Sequence, residues 1–423
     1  MKIAIVTTSP PGENGVGQNY LSALVSALPG HEVFVAAFLR NDADWRTGDR
    51  PDEARRLILK QQFESPRRFG RGPIANWSGH LTFRGVAVPH AKEVAAQLID
   101  EFRDRGIDRI LVVMESPQMI LLAEALGEIF RDRLSILVWD HPEHVLSLYG
   151  QDGLNRSFLM KAFHRSVLAS RGAITVAPSL GEWLQEINPG LTVRLFRSPV
   201  TLGYHETPRR LPSGSKFEIG FAGSVTAPDE LERLQAALDR LSWRVNGCEI
   251  ELSLFGKRYK LVSSTGRNVR YHGFLPSQRD VIEKLSHCQL CFLPQPFGSD
   301  RRWFAEYSFP TKTSTYLASG APILVNAPAW ASLPRFSDND STDDGTGRLG
   351  FECTSDDSKA IAKLIARIAS DATFYGEGCE RATECARTAF GSQPGAIAVA
   401  EGLQVPGPAP TATVVESPAA VLT

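Results

Sequence analysis

At 423 residues the chain is too long for one ordinary hydrophobic core, which implies two domains. Its 46 basic and 47 acidic residues leave a formal charge of -1, which excludes a general nucleic-acid binder and points to small or local partners. No apolar run is long enough to cross a bilayer, and six cysteines spread over this length set up no disulfide framework, which fits a reducing cytoplasm. The opening MKIAIVTTSPPG reads as a strand and a turn, not as a signal peptide.

Lys2 to Thr7 is a short apolar strand, a glycine-rich loop leads into a helix from about Gln18 to Leu28, and HEVFVAAF is the second strand of a βαβ opening. Gly12, Gly15 and Gly17 in the loop allow close backbone approach to a ligand. Their spacing is not GxGxxG, and no acidic residue is placed to hold a ribose, so a dinucleotide cofactor is not expected. Residues 41–90 are less regular. They carry Arg55, Arg56, Lys60, Arg67, Arg68 and Arg71 among Leu57, Ile58, Leu59, Phe63 and Phe69. Such a run suits a solvated insertion, the commoner case, or a face for an anionic membrane or a charged acceptor. Alternation then resumes with a helix from Ala91 to Arg105, strand IDRILVVM, a helix from Pro117 to Phe130 and strand LSILVW. A helix from Asn155 to Ser170, strand AITVAP, a helix from Gly181 to Ile187 and VRLFRSPV close this half.

Ligands of such sheets lie beyond the carboxyl ends of the strands. Asp140, His141, Pro142, Glu143 and His144 directly follow LSILVW, and so many ionisable side chains in one short stretch are poorly explained by packing. The plain alternative is a polar loop in which Asp140 caps the next segment. As a site, Asp140 or His141 would serve an acceptor hydroxyl as hydrogen-bond partner or base, with Glu115 a weaker member of the same rim.

Proline, glycine and serine crowd the stretch from Ser198 to Lys216, which reads as an interdomain linker. The expected division is 1–200, linker 201–215, a second α/β domain over 216–403, and a tail, 404–423, whose uncharged, aperiodic composition predicts disorder. The second half alternates again: FEIGFAG, a helix from Pro228 to Leu241, CEIELSLFG, NVRYHGF, a helix from Ser277 to Ser286, QLCFLP, FPTKTSTYLASGAPILV, and a last long helix from Asp356 to Ser370. In FPTKTSTYLASGAPILV, Pro310 suits the first position of a helix of about three turns, and Gly320 its stop. The free N–H groups at its start and the charge of Lys312 make a phosphate or diphosphate the natural guest. Gly223 and Ser224, ending the first strand of this half, suit the same guest. Cys288 and Cys291 form a CxxC beside His287, but no second pair stands at zinc spacing and HCQLCFLP reads as a buried strand, so no metal is expected.

The segments GENGVGQNYLSALVSALPGHEV, AITVAPSLGEWL, NVRYHGFLPSQRDVIEKLSHCQLCFLPQ and FPTKTSTYLASGAPILV, in this order and spacing, resemble GT-B fold glycosyltransferases, most closely retaining glycosyltransferase family four. The likeness runs from Met1 to about Phe390 and is stronger in the second half. It implies two Rossmann-like domains facing a central cleft, and transfer of a sugar from a nucleotide diphosphate sugar to an acceptor hydroxyl in glycan or polysaccharide assembly. No cofactor or metal is required by that chemistry, and the acceptor would be a glycan, a lipid-linked or a small molecule. The resemblance puts Gly223, Ser224, Pro310, Thr311 and Lys312 on the donor side, brings Gly15 and Gly17 across from the first domain, and sets His141 near the acceptor. With Asp140 and Lys312, His141 completes the candidate catalytic set.

Two departures stand out. Relatives often read PSKxFEYLAxG with a ribose-binding glutamate, where this chain has Thr315, which has no carboxylate to offer. Glu306 is the candidate replacement. The basic residues often found after the Gly223 turn are also missing, leaving Lys312 with Arg301 or Arg302, or Lys257 or Arg258, to meet the diphosphate charge. Alternatives are a non-catalytic GT-B domain that binds a glycan or partner, or a nucleotide-sugar epimerase of the same fold. The expected setting is cytoplasmic, with peripheral contact at the inner membrane face if Arg55–Arg71 binds lipid.

Overall fold

The computed structural model describes residues 1–12, 15–40, 45, 55–60, 73–151, 153–200, 209, 211, 216–257, 259, 261, 268–275, 277–337 and 345–407. The first half forms a sheet of β1 (Lys2–Thr7), β2 (Glu32–Leu39), β3 (Arg56–Lys60), β4 (Arg109–Val113), β5 (Leu134–Val138), β6 (Gly172–Thr175) and β7 (Thr192–Leu195). Their order is β3-β2-β1-β4-β5-β6-β7, and every pair is parallel. The second sheet contains β8 (Lys216–Ala222), β9 (Arg244–Val245), β10 (Cys248–Phe255), β11 (Val269–Gly273), β12 (Leu290–Pro294), β13 (Ile323–Asn326), β14 (Thr346–Gly347) and β15 (Gly350–Cys353). It is ordered β11-β10-β8-β12-β13-β15-β14, with β9 on β10, and only β9 and β14 run antiparallel to their partners. The chain thus has the two doubly wound α/β units expected of it.

Helices cover both faces, so the central strands are apolar throughout: Ile3, Ile5, Leu111, Ile136, Leu137, Leu290 and Phe292 are all fully buried. The helix Pro228–Arg240 opens on proline and buries Leu231, Leu234 and Leu238. Ser358–Ser370 is capped by Asp357, whose carboxylate accepts the Lys359 N–H at 2.9 Å, and buries Ile361, Ile365 and Ile368. Each such side chain contributes roughly 2 kcal/mol by leaving water. One apolar cluster runs from the first sheet across Phe309, Phe336 and Phe390 into one face of the second sheet, and the other face of that sheet holds a separate cluster.

Several elements differ from the expectation. Residues 41–90 are not irregular throughout. Arg56–Lys60 is the edge strand β3, paired with Val35 to Leu39, and a helix runs from Pro73 to Asp104 with a π turn at Phe83–Ala87. The edge position lets Lys60 stay exposed beside the buried Leu59; Arg67, Arg68 and Arg71 lie outside the described residues. The FPTKTSTYLASG helix is Lys312–Ala318, seven residues, shorter than expected, and it begins at Lys312 rather than at Pro310. Gly320 does stop it, with φ of +71°. Two more helices, Ala372–Thr388 and Ser392–Leu403, follow the last one expected.

The last helix returns to the first sheet. Ser135 Oγ donates to the Gly402 carbonyl at 3.1 Å, Arg194 pairs with Glu401, and a Cβ on Gly172 would stand 2.0 Å from the Gly402 oxygen. Residues 216–403 therefore end on a helix lying against the first half. The chain stays ordered past residue 403: Val405 is buried, and His31 Nε2 lies 3.2 Å from the Pro406 carbonyl. Residues 408–423 lie outside the description, as does the 201–215 stretch apart from Arg209 and Leu211. Arg209 donates to the Cys288 carbonyl at 2.6 Å and to that of Ser319. No helix among the described residues is long and apolar enough to cross a membrane.

Candidate active site

Strand order reverses between β8 and β12 in the second sheet, the position beyond whose carboxyl ends open α/β sheets bind their ligands. Gly223 leaves β8 with φ of +88°, a left-handed conformation that glycine adopts without strain. A Cβ there would stand 3.2 Å from Lys312 Cε, so the lysine stem crosses directly over this backbone. Lys312 Nζ lies 4.2 Å from the Phe221 ring centroid and donates to the Ser224 carbonyl. Burial brings its pKa down from 10.5 to about 8. Behind it Tyr316 is fully buried; its hydroxyl accepts the Ala222 N–H at 2.8 Å and donates to the Ala222 carbonyl at 3.2 Å, tying the helix to β8.

Gly223, Ser224, Thr311 and Lys312 thus share one corner, with Pro310 directly ahead of them. Thr315 faces elsewhere: its hydroxyl accepts from Gln278 Nε2 at 3.1 Å. Glu306 pairs with Arg302 at 3.0 Å and bears on His141 from the second half, so it faces the first sheet. Arg301 is exposed and donates to the Thr226 carbonyl at 3.2 Å, which sets it beside the loop after Ser224. Lys257 is exposed, and Arg258 lies outside the described residues. Cys288 and Cys291 are fully buried, and burial pushes the Cys291 thiol up to about 12, so the CxxC is part of the core.

On the first half, Gly15 precedes the helix Val16–Ser26 in an extended conformation with open space around it. At Gly17 a Cβ would meet Ser9 and the Trp139 ring at 3.3 Å, so packing explains this glycine. Glu115 Oε1 accepts from Thr7 Oγ1 at 2.7 Å, Thr8 N at 2.5 Å and Ser9 N at 3.1 Å, which fixes the turn after β1. His141, not Asp140, caps the short helix Pro142–Leu148: its Nδ1 accepts the Glu143 N–H at 3.4 Å. That bond places the ring proton on Nε2, so His141 presents a donor. Its ring lies between Trp183, 4.5 Å away, and Tyr307, 4.9 Å away, and burial lowers its pKa below 6.5 while Glu143 and Glu306 oppose the shift. Asp140 accepts from Ser308 Oγ at 2.7 Å. Burial raises its carboxyl above the ordinary range, with that hydrogen bond and His144 opposing.

The partners from the second half were not expected from the sequence. The helix Arg302–Tyr307 supplies Trp303, stacked 4.3 Å from His144, and Tyr307. Gln295, fully buried at the end of β12, holds this segment: its amide donates to the carbonyls of Ala305 and Ser308 and to Ser332 Oγ, while its oxygen accepts the Leu333 N–H. Arg335 Nη2 donates to both Glu182 carboxylate oxygens, at 2.8 and 3.0 Å, and its Nη1 donates to Ser179 Oγ at 2.6 Å. A lone polar residue at the end of a buried strand was the one available signal, and it marked Gln295 only.

These two units, with sites at their facing strand ends, define a class: the chain has the GT-B fold. No family model and no curated protein matches the sequence. Among solved structures, the chain is similar to sucrose-phosphate synthase from Thermosynechococcus elongatus, at 15% identity over 94% of this chain and 96% of that one, with a TM-score of 0.59. It is also similar to Anabaena HepE in complex with UDP, at 14% identity over 96% and 100% of the two chains and a TM-score of 0.59. The E. coli trehalose-6-phosphate synthase bound with UDP-2-fluoro glucose gives 8% identity over 96% and 100%, with a TM-score of 0.62.

Proposed function

We propose that the chain is a glycosyltransferase that moves a sugar from a nucleoside diphosphate sugar to an acceptor hydroxyl. The observation that carries this reading is Lys312, a half-buried cation held across Gly223 and Ser224 at the switch point of the second sheet. A diphosphate leaving group gains charge as its bond to the sugar breaks, and a preplaced cation lowers that barrier without a protein nucleophile. HepE, of the same fold, binds UDP. His141, as an Nε2 donor, orients a hydroxyl of one substrate from the opposite side. Asp140 serves as the candidate base, its carboxyl raised toward neutrality by burial. In this reading charge compensation comes from the protein and needs no metal, so transfer survives a chelator. The outcome is retention, as the resemblance implies, and NMR of the first-formed product anomer tests it.

Thermal stabilisation by a panel of nucleoside diphosphates and their sugars, on wild type and Lys312→Ala, tests the central claim. One nucleotide sugar should raise the melting temperature in the wild type and less in the variant. No shift at millimolar ligand would refute it.

The acceptor side is placed at a membrane surface in this reading. Trp77 (60% exposed), Leu81 and Val86 stand out on the long helix after the basic run, and His80 Nδ1, 2.6 Å from Asn155 Oδ1, ties that helix to the one bearing exposed Leu154. Flotation on anionic vesicles that is unchanged by Trp77→Ser and Leu81→Ser would remove this part.

A second reading, a non-catalytic GT-B domain, is favoured by Thr315, whose hydroxyl is engaged by Gln278 where relatives carry a carboxylate. Thr315→Glu separates the two. A several-fold gain in nucleotide affinity means that the ribose passes this residue and that the site has weakened; steady hydrolysis of a nucleotide sugar by the wild type rejects the second reading outright.

A further inference from the structure

The stretch from 201 to 215 reads as a linker, yet its described residues, Arg209 and Leu211, are docked into the second half. Leu211 packs against the apolar cluster on one face of the second sheet. Arg209 is held more closely. Its Nη1 donates to the Cys288 carbonyl at 2.6 Å, in the turn before β12, and its Nη2 donates to the Ser319 carbonyl. Its backbone N–H bonds the Cys379 thiol. Ser319 directly follows the helix Lys312–Ala318, so the guanidinium sits at the end of the helix that starts with Lys312. At the other end of the same segment, Arg197 stands over the Phe309 ring at 4.7 Å and the Phe336 ring at 4.4 Å. Residues leading into and out of the linker thus grip the donor-side segment both before Pro310 and after Ala318.

Joining two domains requires neither contact. A cation at a helix C-terminus meets carbonyls that have no partner within the helix and complements the negative end of its dipole. Cys288 and Ser319 are fully buried, which makes the loss of a donor there costly. The geometry also calls for arginine, because two Nη groups reach the carbonyls of two elements at once, where a lysine presents a single ammonium. A helix of seven residues does not hold its direction alone in water, so its contacts set it. Tyr316 ties its middle to Ala222, and Arg209 ties its end. With the rise of an α-helix, Ser319 stands about 4.5 Å beyond Tyr316 and Lys312 about 6 Å before it. Pivoted on Tyr316, a shift of about 1 Å at Ser319 becomes about 1.3 Å at Lys312. That is enough to disturb a lysine stem that passes 3.2 Å from where a Gly223 Cβ would stand.

We propose that Arg209 is a positioning residue for the donor: by fixing the end of the Lys312 helix, it holds Lys312 where a diphosphate meets it. The role rests on the transferase reading, but the mechanical link to Lys312 does not. Calorimetric titration of the full chain with UDP, GDP and ADP, on wild type, Arg209→Lys, Lys312→Ala and the double variant, tests it together with NMR spectra of 13C-lysine-labelled protein. In wild type the ring current of Phe221, whose centroid lies 4.2 Å from Lys312 Nζ, displaces the Lys312 methylene signals, and Lys312→Ala assigns them. Arg209→Lys keeps the charge without the fork. It should move those signals toward the position of the exposed Lys257 and weaken the bound diphosphate about tenfold, the size of one charge-assisted bond. Arg209→Gln, which has no charge, should do the same. In the Lys312→Ala background the Arg209 substitutions should change affinity by less than about twofold, because the contact they act through is gone. A purely structural arginine would lower the melting temperature and leave the Lys312 signals and the diphosphate affinity of the folded chain as they were. That result, or an equal loss of affinity with and without Lys312, would overturn the proposal. If the Lys312 signals move while no diphosphate binds the wild type, the link between Arg209 and Lys312 stands and the transferase reading falls.

Discussion

In the proposed reading Lys312 ties stability and donor binding together in opposite directions, and the size of each effect follows from its partial burial. Its folded pKa of about 8, against 10.5 in water, corresponds to roughly 3 kcal/mol of penalty on the charged form. The penalty is fully present below pH 8 and is relieved as the pH rises toward 10.5, because there the unfolded chain binds the proton and the folded chain does not. Lys312→Met removes the half-buried cation. Discounted for partial solvent access and for the lost bond to Ser224 and contact with Phe221, the gain at pH 7 is about 1–2 kcal/mol, a rise of a few degrees in melting temperature. Donor binding moves the other way. A bound diphosphate favours the charged lysine and returns its pKa toward 10.5, so affinity is flat below pH 8 and falls about tenfold per unit above it. Calorimetric titration with a nucleoside diphosphate from pH 7 to 10, together with melting curves of the variant without ligand, measures both. Affinity independent of pH between 8 and 10, or a variant less stable than wild type at pH 7, would refute the argument.

Three other perturbations probe the contact between the halves. Ser308→Ala removes the hydroxyl donated to Asp140 and should cost about 1–3 kcal/mol where the carboxylate is ionised; the difference from wild type shrinks as the pH falls through the raised pKa of Asp140, where the carboxyl becomes neutral, so a pH series of denaturant melts reads it. His141 has a pKa lowered below 6.5 and is neutral at pH 7, so kcat/KM for sugar transfer should stay level down to about 6.5 and fall on the acid side as the ring becomes charged; a fall beginning above pH 7 would contradict its burial between Trp183 and Tyr307. Arg335→Ala removes the pair with Glu182, a partly exposed contact that contributes under about 1 kcal/mol to stability, but it joins the halves. Small-angle scattering should then give a larger radius of gyration with an almost unchanged melting temperature.

The alternating framework was legible because strands buried on both faces are continuous apolar runs, as in KIAIVT, RILVV and LCFLP, and the helices between them carry proline, glycine or capping residues at their ends. The edge strand Arg56–Lys60 was not legible. Basic residues at both ends leave only three apolar positions, and an edge position tolerates the charge that a central strand would not. Helices of six residues such as Arg302–Tyr307 and Ser332–Ser337 complete too few turns for a period to appear.

The same distinction divides the candidate site. Gly223, Ser224 and Lys312 could be read from sequence because each is local to the end of a strand or the start of a helix, where geometry follows from neighbours in the chain. The contacts that give Asp140 and His141 their chemistry join residues far apart: Ser308 and Asp140 are separated by 168 positions, Arg335 and Glu182 by 153. No local pattern encodes that His141 sits between Trp183 and Tyr307, yet that burial, not the residue type, lowers its pKa, while the local bond from the Glu143 N–H fixes its proton on Nε2. A polar cluster after a strand therefore identifies where chemistry can occur, and the opposing half decides which chemistry it is. Substitutions at Tyr307 or Ser308, which lie in neither the glycine turn nor the Lys312 helix, should alter the acid limb of the pH profile, whereas substitutions at Gly223 or Lys312 should alter nucleotide affinity.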